Sequence, residues 1–244
     1  NKERKKKKLD KILFHTDACQ AGGLLNVDVK ELGVDLLTLN GSKIYGPKQS
    51  GILFFKEGVE LLPLIFGGGQ ERNLRSGTEN MIGIAGFAKA LEISQKSKEN
   101  KKLIKLNKYI LNKIKEDIKD SRFNGPIRIE DRLSNNVNVS FQGVDGELLL
   151  QYLNKKGICV STGSACSSNN DRPSHVLEAI NCPIESINGS IRITLGKKTT
   201  QKDIDYFLYY LIKGVKEIRK STTLINDLKK ITKNQISAGC VKMK

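Results

Sequence analysis

An α/β fold in two successive parts is the class that the sequence predicts, and three observations carry it. Apolar runs of strand length alternate with glycine-bearing connections at the start, and apolar residues recur at spacings of three and four in the middle. Strand-like and helix-like segments then alternate again towards the end. With 244 residues and 38% hydrophobic content the chain can bury a real core, and its length suits one or two domains. The change of pattern places a boundary near residue 95, so that 1–95 and 96–244 form separate parts, the second a smaller α/β unit.

The opening NKERKKKK is a basic low-complexity block. The runs KILFHT (11–16), VDLLTLN (34–40) and GILFF (51–55) predict buried strands of a mixed sheet. From about Thr78 the spacing becomes helical, with Ile82, Ile84, Ala85, Ala88 and Leu91 apolar. A lysine-rich helix follows, on which Leu103, Leu106, Ile110, Ile114 and Ile118 form one apolar stripe. Beyond Asn124-Gly125-Pro126, NNVNVSF (135–141) alternates as a strand does, and GELLLQYLNKKG (146–157) has helix chemistry with Gly157 as terminator. ICVS (158–161) is strand-like, Pro173 suits the first turn of a short helix, and SIRITL (190–195) predicts a further strand. A long amphipathic helix opened by a threonine cap closes the pattern over 199–220.

Charge and cysteine usage limit the functional classes. The net charge of +16 draws acidic partners or nucleic acid. Its lysines, however, lie mostly in the opening block, between Lys96 and Lys119 and after Lys213, where solvated helix faces account for them. With little arginine or aromatic interleaving, direct nucleic-acid binding is not expected. Five cysteines at irregular spacing, without a C-x-x-C pair, argue against a disulfide framework and against a zinc cluster, so no metal site is predicted and a reducing cytoplasm fits best. The apolar runs fall far short of the roughly 20 residues of a membrane span, and the basic opening lacks the apolar stretch of a signal peptide.

The chemistry centres on NGSKIYGPKQSG (40–51). A lysine in an apolar, glycine-rich turn after a buried strand loses stabilisation of its charged form, which makes Lys43 nucleophilic enough to form an imine with an aldehyde. Alone, it is equally a lysine that snorkels to the surface. HTDACQA places Asp17 and Gln20 just after another strand, where open α/β sheets contact ligands; alone, Asp17 is equally a helix cap. Pyridoxal phosphate (PLP) requires a lysine, an acid opposite its pyridine nitrogen, and donors for its ring oxygen and phosphate. Lys43 and Asp17 meet the first two requirements.

Five ordered motifs then carry a resemblance: HTDACQA continuing to GVDLLTLNGSKIYGPKQSGILF, FGGGQERNLRSGTEN, NNVNVSF, STGSACSS and GSIRITLGKKTT. Together they resemble the cysteine desulfurases of the NifS/IscS type, among the class V aminotransferase-like PLP enzymes, over about residues 9–211. The resemblance implies the fold type I (aspartate aminotransferase-like) architecture of PLP-dependent transferases, here as a partial large domain and a small C-terminal α/β domain carrying a mobile cysteine loop. It implies that Lys43 holds PLP and moves the substrate α-proton, that Asp17 keeps the pyridine nitrogen protonated, and that Gln20 donates to the ring oxygen. Arg192 would clamp the carboxylate of L-cysteine, and Thr78 would reach the phosphate of a neighbouring subunit's PLP in a homodimer. Cys166, in the small and polar run STGSACSSNND, would take the substrate sulfur as a persulfide and pass it to an acceptor protein for iron-sulfur cluster assembly or tRNA thiolation. Cys19 and Cys159, in apolar segments, are expected to be inert core residues, and Cys182 and Cys240 incidental.

Two departures from the family pattern qualify these expectations. The family usually has Ser-Gly-His-Lys at the imine lysine, whereas this chain reads Asn40-Gly41-Ser42-Lys43. Ser42 is retained as a weaker phosphate ligand and Asn40 as a further one, and Gln49 stands where a glycine is common. The second departure is the absence of the N-terminal third of such enzymes, with its phosphate-binding helix terminus and ring-stacking histidine. The chain is therefore expected to be the C-terminal portion of a cysteine desulfurase and, by itself, to bind PLP weakly and to turn over slowly or not at all. Selenocysteine lyase, class V aminotransferase activity and a non-catalytic basic binding module are the competing readings.

Overall fold

The computed structural model describes residues 2–7, 10–96, 99–162 and 174–239. Two compact units emerge, Asn1–Lys98 and Glu99–Lys244. Cys166, Pro173 and Cys240, all singled out above, lie outside the described residues. Among the described residues no helix is long and apolar enough to cross a membrane.

The first unit contains α1 (Lys2–Lys6), β1 (His15–Asp17), α2 (Val29–Leu32), β2 (Leu36–Asn40), β3 (Gly51–Phe55) and α3 (Met81–Lys96). Its sheet has the order β1-β2-β3, with β1 parallel to β2 and β3 antiparallel to it. The expected strand 11–16 is shorter than its apolar run, because Ile12, Leu13 and Phe14 are exposed and lie ahead of the ladder. Asp35 holds that approach in place. Its buried carboxylate accepts from the Lys11 ammonium at 2.7 Å and the Phe14 N–H at 3.0 Å, with Lys56 at 3.7 Å. The core gathers Ala18, Val34, Leu37, Leu39, Ile44 and Phe87, so α3 packs beneath the turn that follows β2. Gly86 makes that approach possible: a methyl group there would lie 2.5 Å from Cγ of Pro47.

The second unit holds α4 (Glu99–Asp117), β4 (Ser121–Phe123), β5 (Asn136–Phe141), α5 (Gly146–Asn154), α6 (His175–Ala179), α7 (Ile184–Ile187), β6 (Ser190–Thr194) and α8 (Gln201–Gly239). The antiparallel sheet runs β4-β5-β6. Period-two alternation divides β5 into Val137, Val139 and Phe141, all fully buried, and Asn138 and Ser140 on the opposite face. The stripe read from the sequence of α4 is buried throughout, from Leu103 to Ile118, and α8 packs against α4 and α5. The threonine cap of α8 is Thr200: its hydroxyl and N–H each donate to Asp203 at 2.8 Å, a side-chain capping pair. Arg219 ties α8 to the sheet end, donating to the carbonyls of Gln142, Lys119 and Asp120. The expected strand 158–161 is reduced to one bridge, Ser161 with Arg192.

Two stability results follow. Ile110→Ala removes a side chain with no exposed surface, and denaturant unfolding should show a loss of about 2–5 kcal/mol. For Asp35, the Lys11 hydrogen bond and then the Phe14 N–H hold the carboxyl below its ordinary range, so its stabilisation is present above the unfolded value and lost as pH falls through the folded one. The stability difference between the parent chain and Asp35→Asn should therefore be constant above about pH 5 and shrink below about pH 4, as read by thermal unfolding.

Candidate active site

The parallel register aligns Asp17 with Thr38, which brings the end of β1 and the turn after β2 to the same edge of the sheet. Several groups converge on Thr38. Its hydroxyl contacts Nε2 of His15 at 2.9 Å, and its carbonyl accepts from the Ala18 N–H at 2.9 Å and from the Cys19 thiol at 3.8 Å. The Cys19 N–H donates to Oδ1 of Asp17 at 3.0 Å. Bonds from the thiol and then from this N–H hold the Asp17 carboxyl below its ordinary range, with a contribution from the charge of His15. Asp17 is thus an exposed, ionised carboxylate with a fixed orientation.

Cys19 responds in the opposite direction. Burial first, then the hydrogen bond and charge of Asp17, raise its thiol to about 11, and the positive charge of Lys43 partly offsets this. Lys43 therefore lies within electrostatic reach of Cys19. Cys19, expected to be an inert core residue, is half-buried and is bonded to Asp17 and Thr38. The D-x-C spacing was the available signal, because an aspartate at the end of a strand commonly accepts the N–H two residues on.

Gln20 is exposed on the helical turn that follows, which closes with Gly22 N–H donating to the Ala18 carbonyl at 3.0 Å. Gln95, at the end of α3, braces this turn through the Gly22 and Leu25 carbonyls at 2.6 and 3.1 Å. Lys43 sits in a short 3-10 turn, Gly41–Ile44. Asn40 caps it, its Oδ1 accepting from both the N–H and the hydroxyl of Ser42 at 2.9 and 2.7 Å. Gly41 is required by close packing, since a Cβ would come within 2.2 Å of Oγ of Ser50 and 3.0 Å of Phe87. The apolar enclosure expected of Lys43 is absent: Ile44 turns into the core, while Ser42 and Lys43 are exposed. Gln49 adopts φ 61, a left-handed conformation that explains why a glycine suits this position.

Thr78 is exposed at the end of FGGGQERNLRSGT. Glu71, Arg72 and Asn73 there have φ of 48, 58 and 65, a left-handed run that costs roughly 1–2 kcal/mol per residue. It is braced by Ser76, whose hydroxyl donates to the Gly68 carbonyl at 2.9 Å, and by the Gly77 N–H on Gln70 at 3.2 Å.

Arg192 belongs to the second unit, half-buried in the centre of β6. Its N–H donates to the Ser161 carbonyl at 2.6 Å, and the Ser161 N–H returns a bond at 3.1 Å. Among the described residues its guanidinium forms no ion pair. The hydroxyl of neighbouring Thr162 donates to Oε1 of Glu147, at the start of α5. Cys159 is exposed rather than a core residue, because pairing in this segment begins only at Ser161. Cys182 is buried, its thiol 3.5 Å from Oδ1 of Asn124, whose amide donates to Asn138 and Ser140. Among the described residues no group of three or more His, Cys, Asp or Glu is placed to hold a metal ion.

These placements order the thiols by reactivity. Iodoacetamide at pH 8 should alkylate Cys159 well before Cys19 or Cys182 in the folded chain, as read by peptide mass mapping. Comparable labelling of Cys19 would contradict its assigned contacts.

Comparison with known proteins identifies relatives of this chain. A cysteine desulfurase IscS of Dictyoglomus turgidum is 48% identical over 210 residues, which are 85% of this chain and 53% of the relative. A solved NifS-like protein superposes with a TM-score of 0.73 at 36% identity, covering 86% of this chain and 53% of the other. A second, described as SspA in complex with cysteine, gives a TM-score of 0.59 at 31% identity, over 79% and 52% of the two chains. The chain thus spans about half the length of the curated relatives it matches. Residues 3–207 match the family model for class V aminotransferases, and with the strand-end site described above the chain belongs to that family, its relatives being cysteine desulfurases of the IscS and NifS type.

Proposed function

We propose that this chain carries the cofactor lysine and the sulfur-accepting thiol of a PLP-dependent cysteine desulfurase. The observation that carries the reading is the shared sheet edge: a fixed, ionised Asp17 and an exposed Lys43 close enough for its charge to act on the thiol beside that carboxylate. The donor set fits PLP in kind, with an amine, a carboxylate, an amide and a hydroxyl in adjoining turns. When bound, PLP supplies an electron-withdrawing ring that stabilises negative charge at the substrate α-carbon.

Lys43 would hold the cofactor through Nζ and, once displaced by L-cysteine, carry the α-proton. Asp17 would keep a proton on the pyridine nitrogen, and Gln20 would donate its amide to the ring oxygen. Ser42 and Asn40 would meet the phosphate, although a phosphate oxygen would compete with Oδ1 of Asn40 for the Ser42 proton. Arg192 would bind the substrate carboxylate with the two parallel donors of its guanidinium. The thiolate of Cys166 would attack the substrate sulfur, so that L-cysteine and one thiol become L-alanine and one persulfide, and the sulfur would then pass to an acceptor protein of iron-sulfur assembly or tRNA thiolation. Thr78 would serve the phosphate of a second copy. The exposure of Leu62, Leu64, Phe66, Met81 and Ile82 near it supports a homodimer, which would cover them. A cytoplasmic location accords with the free Cys19, Cys159 and Cys182. The relatives' names favour a desulfurase over a lyase of selenocysteine, an aminotransferase or a binding module.

Borohydride reduction of the chain with PLP, followed by peptide mapping, should place the pyridoxyl label on Lys43, and Lys43→Ala should abolish it. Labels spread evenly over the surface lysines would refute the cofactor site. In a chain joined to the N-terminal portion that such enzymes carry, L-cysteine should give a persulfide on Cys166 that is missing from Cys166→Ser, whereas these 244 residues alone should form little or none.

A further inference from the structure

The helix α8 carries two stripes of large side chains where a surface helix needs one. Ile204, Phe207, Leu208, Leu211, Val215 and Ile218 form the buried stripe. Tyr206, Tyr209, Tyr210 and Lys213 follow a second helical face, and Tyr206 and Tyr209 are 49% and 53% exposed. These rings are locked together. Tyr206 and Tyr209 both meet Tyr210 edge to face, at centroid distances of 4.8 and 5.0 Å. Lys156, just past α5, sets its ammonium 5.3 Å from the centre of Tyr210, and its carbonyl accepts from the Tyr206 hydroxyl at 3.1 Å. Lys213 lies 4.4 Å above Tyr209 and donates to its hydroxyl at 2.6 Å.

We propose that this tyrosine and lysine face of α8 and the α5 terminus docks an acidic peptide segment of a partner protein. Half-exposed tyrosines already held in one rotamer by their neighbours give up little side-chain entropy on binding, which is what makes aromatic anchors effective. The ammonium groups of Lys156 and Lys213 give the face its sign, with exposed Lys155 and Lys216 next to it in the sequence and the carboxylates of Asp203 and Glu217 one turn beyond either end of the stripe. Because Tyr209 accepts from Lys213, its own O–H remains free to donate, a fitting partner for a carboxylate. Ribonucleic acid is the weaker match. Base stacking needs open ring faces, and here ammonium groups cover Tyr209 and Tyr210 on one side, with no arginine in the cluster. The proposal does not depend on the cofactor site.

The test uses the full chain and a fluorescein-labelled peptide of alternating aspartate and leucine, with binding read by fluorescence anisotropy at physiological salt. Lys156→Glu with Lys213→Glu should weaken binding about tenfold or more, and Tyr209→Ala by a comparable factor. Lys101→Glu with Lys105→Glu, on the exposed face of α4, changes the net charge equally and should alter binding by less than about twofold. Tyr209→Phe keeps the ring and should lose only the share due to the hydroxyl. Equal weakening by the two lysine pairs would reduce the effect to generic attraction and overturn the proposal. Absence of peptide binding would overturn it too, as would preference for a single-stranded RNA that is lost in the Tyr209→Ala chain.

Discussion

Parallel hydrogen bonding between residues 15–17 and 36–38 is the constraint on which the first unit's chemistry depends. A parallel pair brings both strand ends to the same edge, so the residue that ends β1 and the turn that follows β2 become neighbours without further folding. Every contact described around Thr38 secures that alignment: the His15 ring, the Ala18 N–H, the Cys19 thiol. At the other end of the same strand Asp35 fixes the chain entering β1, so the pairing is pinned at both ends. The lysine turn then needs only its own support, which comes from the Asn40 cap above and from Phe87 and Gly86 of α3 below.

The second unit solves a different problem, that of holding an arginine in the middle of a strand. Arg192 is paired through its backbone to both β5 and Ser161, which fixes the point on the sheet from which its side chain starts. The neighbouring bond from Thr162 to Glu147 anchors the chain where it leaves this ladder. On β5 the sheet separates a dry apolar face from a polar one, where Asn124, Asn138, Ser140 and Cys182 satisfy one another. The thiol that looked incidental is part of that network.

Much of this was legible in the sequence because it rested on periodicity. The stripe from Leu103 to Ile118, the alternation of β5 and the threonine cap of α8 all appear where spacing placed them, and α8 continues well beyond residue 220. What spacing could not show was pairing. Ile12 to Phe14 read as a strand because they are apolar, yet they lie outside the ladder and exposed, and ICVS kept only its last residue as a sheet partner. β4 and α7 were missed because three or four residues carry too little pattern. At the site, residue types were readable and environments were not. Lys43 proved exposed where enclosure was expected, and the contact of Cys19 with Asp17 arises from a turn that no hydrophobic pattern reports.

The edge shared by β1 and β2 also limits how such a chain can vary in length. The connection between Leu24 and Gly33 lies outside the ladder, so insertions and deletions there would leave both strand ends in place. A single residue gained or lost between Leu36 and Lys43 would turn alternate side chains to the opposite face and carry Lys43 out of its place in the turn after β2. Lineages descended from a common ancestor should accordingly record their gaps in the first stretch and remain of constant length across the second.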